Sequence, residues 1–174
     1  LDDRTRRSVI RPSIDINYFN NKKKISKLKI NRKKIQFLSI ARLHWVKGLE
    51  YALQALAILK QKKLKFNFTI IGGGQEYERL IYAAHQMDLN ENVSFIGSQT
   101  HNIIKDYLQE SDIYLQYSIQ EGFCNAVLEA QAMGLLSIVS DANMIIATET
   151  NNVGNTNVLD GSATSANLKA DGSN

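Results

Sequence analysis

Short, β-rich apolar runs alternate with helical stretches along most of this 174-residue chain. The stretches between the runs place apolar residues near helical spacing, as in "GLEYALQALAILKQ". Strands buried on both faces and separated by helices are typical of a parallel sheet covered on both sides. The alternation predicts an α/β fold, a Rossmann-like doubly wound parallel sheet over residues 35–145. Its five strands are "KIQFLSIA", "FNFTIIG", "NVSFIG", "DIYLQYS" and "LLSIVSD".

Two flanking segments break the alternation. Residues 1–34 hold 12 of the 21 Lys and Arg residues but only 3 of the 17 Asp and Glu residues, so the net charge of +4 arises at this end. We interpret this segment as a solvated basic linker, with an anionic membrane surface as the alternative partner. It has no aromatic interleaving, so we expect no nucleic-acid partner. Residues 146–174 are rich in Asn, Ser, Gly and Thr and predict an irregular tail.

Composition and missing motifs exclude several classes of function. The single cysteine, Cys124, excludes an internal disulfide and favours a cytoplasmic location. Apolar runs stay well short of the roughly 18 residues that a membrane span needs. The three histidines are scattered, and no P-loop or GxSxG motif occurs, so we expect no metal centre and no hydrolase site. "IIGGGQEYE" lacks the third glycine of a dinucleotide fingerprint and reads better as a plain turn.

Unusual polar residues follow the predicted strands, where ligands bind in open parallel sheets. Arg42 and Lys47 come after the first strand, and Lys47 precedes Gly48 at a helix start. Two cations beside helix N-terminal amides favour a diphosphate. Solvated surface cations would show the same pattern, so this pair alone leaves both interpretations open.

"EGFCNAVLE", residues 121–129, carries two carboxylates around a predicted helix start. Glu121 lies before the turn and can reach hydroxyl groups in a cleft. Glu129 lies in an apolar helix, where an unpaired buried carboxylate costs several kcal/mol, so a vicinal diol would be a suitable partner. Backbone N–H groups at the helix start favour a phosphate or sugar hydroxyls. They belong to Gly122, Phe123, Cys124 and Asn125.

Four segments occur in the order of a known family: "SIARLHWVKGLEYALQAL", "IIGGGQEYERL", "FIGSQTHNIIKDYLQESDIYLQYSIQEGFCNAVLEAQAMG" and "SIVSDA". The chain resembles the C-terminal, donor-binding domain of a retaining GT-B glycosyltransferase of the GT4 type (glycosyl transferases group 1). The resemblance covers residues 9 to about 145. Its upstream part, "VIRPSIDINYF", is similar to the family's interdomain segment.

The resemblance implies transfer of a sugar, with retention, from a nucleoside diphosphate sugar to a glycan or lipid acceptor. It implies that Arg42 and Lys47 hold the diphosphate, that Glu121 contacts the donor sugar, and that Glu129 contacts the ribose diol. The turn amides, residues 122–125, would face the sugar and phosphate. No metal is needed, because two cations and a helix N-terminus can stabilise the leaving diphosphate, and the nucleotide sugar is a substrate rather than a cofactor. The acceptor-binding N-terminal domain would lie outside this chain.

The sequence also departs from the family pattern. Ser13 and Leu136 stand where Gly and Pro are common, and "DANMIIATET" lacks the usual Gly-Gly-x-Pro-Glu. These departures leave an alternative open, a non-catalytic nucleotide-sugar-binding or interaction module derived from the same fold. A GT-B sugar-nucleotide epimerase fits the motif spacing less well. We expect this chain alone to transfer little or no sugar.

Overall fold

The computed structural model describes residues 13–19, 33–140 and 156–159, the last four as backbone alone. The strands in these ranges are β1 (Ile35–Ile40), β2 (Phe66–Ile71), β3 (Val93–Gly97), β4 (Ile113–Gln116), β5 (Leu136–Ser140) and β6 (Thr156–Leu159). The helices are α1 (Leu49–Gln61), α2 (Tyr77–Gln86), α3 (His101–Glu110) and α4 (Asn125–Ala132), with a 3-10 turn at Trp45–Lys47.

The strands form one parallel sheet in the order β3-β2-β1-β4-β5-β6. The chain builds outwards from β1 through β2 to β3, and then crosses back to place β4 on the other side of β1. This reversal of direction is a topological switch point, where loops after neighbouring strands diverge and leave a crevice. The predicted doubly wound α/β sheet is confirmed, and its crevice lies between the ends of β1 and β4.

Two hydrophobic clusters cover opposite faces of the sheet. Helices α1 and α2 pack on one face through residues such as Leu53 and Leu80. Helices α3 and α4 cover the other face through Leu108 and Val127. Both faces of the central strands are therefore buried, which explains the continuous apolar runs in the sequence.

The sixth strand lies in a segment for which the sequence predicts irregular structure. Strand β6 pairs in parallel with β5, from Ser137 opposite Thr156 to Ser140 opposite Leu159. The tail, residues 146–174, is therefore not irregular throughout. Four residues show too little periodicity to predict a strand, whereas the open edge of β5 supplies backbone partners for one. The rest of the tail, most of the basic segment 1–34 and "DANMIIATET" lie outside the described residues.

The end of the predicted interdomain segment packs against the domain. The Asp15 carboxylate accepts hydrogen bonds from the backbone N–H groups of Asn17, at 2.9 Å, and Tyr18, at 3.1 Å. The resulting turn directs Phe19 into the core cluster beside α3 and α4, where its side chain is buried. This turn fixes where the chain approaches the sheet.

Gly48 is required by the packing of the loop after β1 against the loop after β4. Its φ of 58° lies in the left-handed region. A Cβ atom added to Gly48 would lie 2.1 Å from the backbone oxygen of Tyr117. The two loops can therefore approach this closely only because position 48 has no side chain.

We predict that Gly48→Ala destabilises the chain by more than the roughly 1–2 kcal/mol that a left-handed alanine costs, because the methyl group also collides with a backbone carbonyl. Gly97→Ala is the matched control: Gly97 has a φ of 75° but open space around its Cβ position. Urea unfolding of both variants separates the two terms. An equal loss of stability in the two variants would contradict the predicted collision.

Candidate functional site

The loops after β1 and β4 are joined across the switch point. The backbone N–H of Ile119 donates to the carbonyl oxygen of Val46 at 2.8 Å. The ammonium group of Lys47 forms an ion pair with the carboxylate of Glu121. These contacts, together with the packing at Gly48, bring Lys47 and Glu121 into one site although 73 residues separate them in the sequence.

The ion pair between Lys47 and Glu121 is largely shielded from solvent. The two side chains expose 17% and 11% of their surface, respectively. Salt screens such a pair much less than a pair of fully exposed charges. The carboxylate of Glu121 is therefore held in place by a cation that comes from the opposite side of the crevice.

Glu121 also accepts a hydrogen bond from within its own loop. The hydroxyl group of Ser118 donates to the same carboxylate oxygen, Oε2, at 3.2 Å. The side-chain amide of Gln116 donates to the Ser118 hydroxyl at 2.8 Å, and the Tyr114 hydroxyl donates to Gln116 at 3.0 Å. Glu121 thus ends a chain of polar groups that begins inside the sheet.

A cleft of about 320 Å³ opens over this pair. Its lining includes Arg42, Lys47, Glu121 and Gly122. Arg42 is exposed, and no ion pair joins it to a side chain within the described ranges. Two cations and one carboxylate around one cleft can bind an anion and a hydroxyl group at neighbouring points. The structure thus brings four of the predicted site residues to one cleft: Arg42, Lys47, Glu121 and Gly122.

A second cleft, of about 250 Å³, lies at the ends of β1, β2 and β3. Arg42 lines this cleft as well, and so do Gly73, Ser98 and Gln99. Arg42 therefore lies where the two clefts meet. The side-chain amide of Gln99 donates to the backbone oxygen of Ile96 at 3.0 Å, which fixes this side chain within its own loop.

The turn before α4 has the expected helix start. Cys124 occupies the N-cap position, and the N–H of Val127 bonds to the Cys124 carbonyl oxygen at 3.2 Å. Burial raises the pKa of the Cys124 thiol, an effect that a hydrogen bond from the Val127 backbone opposes. This thiol remains protonated at neutral pH, which agrees with a packing role rather than a nucleophilic one. Phe123 and Asn125 line neither of the two clefts.

The apolar helix sequence predicted that Glu129 is buried, but the structure shows its side chain half-buried on α4. Burial raises the pKa of this carboxyl above its ordinary value of 4.5, and the charge of His101 at the start of α3 partly offsets the rise. No hydrogen bond or ion pair joins Glu129 to another side chain in the part of the chain that the structure describes. This carboxylate lines neither cleft, but its coupling to His101 places it towards the start of α3.

Two polar residues near the clefts lie at helix starts. The ring nitrogen Nδ1 of His44 caps the 3-10 turn by accepting from Val46 N–H at 3.4 Å. Thr100 occupies the N-cap position of α3, but its side chain makes no capping bond. Within residues 13–19 and 33–140, no group of three or more His, Cys, Asp or Glu side chains is arranged to hold a metal ion. No described helix is long and apolar enough to cross a membrane.

The sequence analysis missed Gln116 and Ser118. Both side chains are buried, exposing 2% and 1% of their surface. A glutamine inside "DIYLQYS", one of the strands of a sheet predicted to be covered on both faces, was the available signal, because buried polar side chains require partners. The identity of those partners depends on the fold and could not be read from the strand alone.

The strand order and the charged crevice place the chain among doubly wound α/β proteins that bind ligands at the carboxyl ends of their strands. More specifically, the chain belongs to the glycosyl transferases group 1 family, whose profile matches residues 20–170. The amylovoran biosynthesis glycosyltransferase AmsK of Erwinia amylovora is 39% identical over 113 residues, which cover 62% of this chain. The match covers 28% of AmsK, so the chain spans little more than a quarter of that relative's length.

Solved structures share the fold. Anabaena HepE, determined in complex with UDP and glucose, superposes with a TM-score of 0.65 at 23% identity, over 78% of this chain and 38% of HepE. The C-terminal domain of LpcC from Francisella tularensis, a group 1 family protein, gives a TM-score of 0.62 at 22% identity. That match covers 75% of this chain and 72% of the LpcC domain. The described fold therefore corresponds to a C-terminal domain that has been solved as a separate unit.

We predict that Glu129→Gln stabilises the chain at pH 7 and has no such effect near pH 4. Because burial raises the pKa of Glu129 in the folded state, the native chain holds this proton more tightly than the unfolded chain does. The contribution of Glu129 to wild-type stability must then fall as the pH rises from 4.5 through the raised value, and glutamine has no such loss. Urea midpoints at the two pH values measure this difference, with the exposed Glu91→Gln as control. A gain that persists unchanged at pH 4 would disprove the assigned cause.

Proposed function

We propose that this chain is the donor-binding domain of a retaining glycosyltransferase that takes a sugar from a nucleoside diphosphate sugar. The observation that carries the proposal is the convergence of Arg42, Lys47 and Glu121 on one cleft at the switch point. Membership of the glycosyl transferases group 1 family supports it. The acceptor is a glycan or a lipid, bound by a part of the protein outside this domain.

In this proposal Arg42 and Lys47 bind the diphosphate. The ammonium group of Lys47 has three N–H donors, and the pairing with Glu121 leaves donors for phosphate oxygens. Arg42 offers a planar fork of donors between the two clefts. Both cations stabilise the negative charge that develops on the departing diphosphate, so the transfer needs no metal ion.

The carboxylates bind hydroxyl groups. Glu121 accepts hydrogen bonds from the donor sugar in the first cleft, beside the amides of Gly122 and the following turn. Glu129 accepts from the ribose diol, which supplies the partners that its half-buried carboxylate lacks among the described residues. The base occupies the second cleft near Ser98 and Gln99. HepE, which shares this fold, was solved with UDP and glucose, and this favours a uridine donor as the first candidate.

The proposed setting is the cytoplasm, a reducing compartment that suits a sequence with a single cysteine. A lipid acceptor would require contact with the inner face of a membrane. The basic segment in residues 1–34 has the charge for such a peripheral contact, although most of it lies outside the described residues. Retention of anomeric configuration is part of the proposal, and product analysis by NMR would test it.

We predict that the chain binds one class among UDP-, GDP- and ADP-sugars and that Arg42→Ala weakens this binding about 10- to 100-fold. A charge-assisted hydrogen bond to phosphate is worth about 1.5–3 kcal/mol, which corresponds to this loss of affinity. Glu129→Ala should weaken binding of the nucleoside diphosphate itself, because its proposed contact is with the ribose. Isothermal titration calorimetry measures all of these affinities.

Arg79→Ala is the matched control for the arginine substitution. Arg79 is an exposed arginine on α2 that pairs with Glu50 and Glu76 rather than lining either cleft. It should leave donor binding within twofold of wild type. Equal effects of Arg42→Ala and Arg79→Ala, or no donor binding by the folded chain, would count against the proposed site. Donor binding without any sugar transfer by the complete protein would instead favour a non-catalytic module.

A further inference from the structure

A continuous chain of hydrogen bonds runs through β4 to the site. It starts at the backbone N–H of Ile40 on β1, which donates to the Tyr114 hydroxyl at 3.4 Å. Tyr114 donates to Gln116 at 3.0 Å, Gln116 donates to Ser118 at 2.8 Å, and Ser118 donates to the Glu121 carboxylate at 3.2 Å. The three intermediate side chains are at most 2% exposed, so water does not compete for these bonds.

The direction of this chain is set by its last member. An ionised carboxylate can only accept hydrogen bonds, so the hydroxyl proton of Ser118 must point towards Glu121. The oxygen of Ser118 must then accept from Gln116, which requires the NH₂ group of that amide to face Ser118. The amide oxygen of Gln116 consequently faces the Tyr114 hydroxyl, whose proton is shared between this oxygen and the Ile40 carbonyl oxygen, at 3.0 and 3.2 Å. The donors of Gln116 and Ser118 therefore both point towards Glu121.

The backbone of Ser118 is fixed independently of its side chain. The Ser140 hydroxyl on β5 donates to the carbonyl oxygen of Ser118 at 2.7 Å, and both serines are buried. The rotation of the Ser118 hydroxyl is therefore the remaining variable. Gln116 sets this rotation, because its NH₂ group donates to the hydroxyl oxygen of Ser118 and leaves the hydroxyl proton to bond to Glu121.

We propose that Gln116 is a positioning residue that orients Glu121 towards the donor sugar by way of Ser118. The inference rests on the proposed function, in which Glu121 contacts sugar hydroxyls and Lys47 contacts phosphate. When Lys47 shares its donors with phosphate oxygens, its hold on Glu121 weakens. The hydrogen bond from Ser118 keeps the carboxylate in place at that moment, because it comes from a buried group that does not touch the donor.

The sharpest test is Gln116→Glu, which keeps the size and shape of the side chain but replaces the NH₂ donor with an acceptor oxygen. When the new carboxyl is ionised, which burial opposes and a higher pH favours, the Ser118 hydroxyl turns towards it and away from Glu121. We expect affinity for UDP-glucose to fall at least fivefold while affinity for UDP stays within twofold. A general loss of structure would weaken both ligands equally, so the ratio of the two affinities reports positioning.

Two further variants serve as a matched control and as an independent test. Gln36→Glu makes the same substitution near the start of β1, at the edge of the sheet away from the clefts. The Gln36 side-chain amide bonds there to Asn67 and to the Lys34 carbonyl oxygen, so this variant should leave both affinities unchanged. Ser118→Ala removes the donor to Glu121 without burying a new charge. It should reproduce the selective loss of UDP-glucose affinity even if Gln116→Glu proves too unstable to purify. If Ser118→Ala binds UDP-glucose as tightly as wild type does, and binds UDP as tightly as wild type does, the inference is overturned.

A ligand-free measurement separates this inference from the proposed function. The ¹³C resonance of the Glu121 side-chain carboxyl, assigned through Glu121→Gln, should shift in Gln116→Glu and Ser118→Ala but not in Gln36→Glu. If wild type binds neither UDP-glucose nor UDP, a uridine donor is disproved, yet a shifted resonance still supports the positioning of Glu121. A resonance that stays in place in both β4 variants overturns it.

Discussion

The ion pair between Lys47 and Glu121 joins the loops after β1 and β4, and the site depends on this contact. Parallel strands end at the same edge of the sheet, but their loops diverge at a switch point and leave a crevice between them. Here the ion pair and a backbone hydrogen bond join the two loops across that crevice, and the loops can approach because Gly48 has no side chain. These contacts hold a cation and a carboxylate at fixed positions beside the same cleft.

Polar groups inside β4 are tolerated because each has a partner. An unsatisfied buried donor or acceptor costs about 1–3 kcal/mol, so an incomplete chain would be worse than apolar side chains. The buried side chains of Tyr114 and Gln116 are both bonded, and burial raises the pKa of the Tyr114 hydroxyl well above its usual value. The tyrosine therefore stays a neutral donor at any physiological pH. Such a network contributes a defined orientation more than net stability.

Sequence patterns predicted the strands and helices well where burial imposes a strong periodicity, as in β1, α1 and β2. They failed at β6, because four residues pairing with an exposed edge carry almost no pattern of their own. They also placed Lys47 and Glu121 in the same crevice, since both follow strands, but could not predict their direct contact. That contact depends on the φ angle of Gly48 and on which strands are neighbours, and both are properties of the folded sheet.

The glycine-rich turn after β2 shows how a weak sequence motif can shape a cleft through its backbone. A Cβ atom on Gly72 would lie 1.9 Å from the backbone oxygen of Ala41, so the turn can pack against the loop after β1 only because residue 72 has no side chain. The N–H of Leu43 donates to Gly73, and Leu43 in turn accepts from Glu76, at 2.9 and 3.0 Å. Arg42 lies between these anchored neighbours. The backbone N–H groups of Ala41 and Leu43, on either side of Arg42, donate to Ile71 and Gly73 at 3.0 and 2.9 Å. The backbone at Arg42 is therefore fixed, and only its side chain is free to adapt to the cleft.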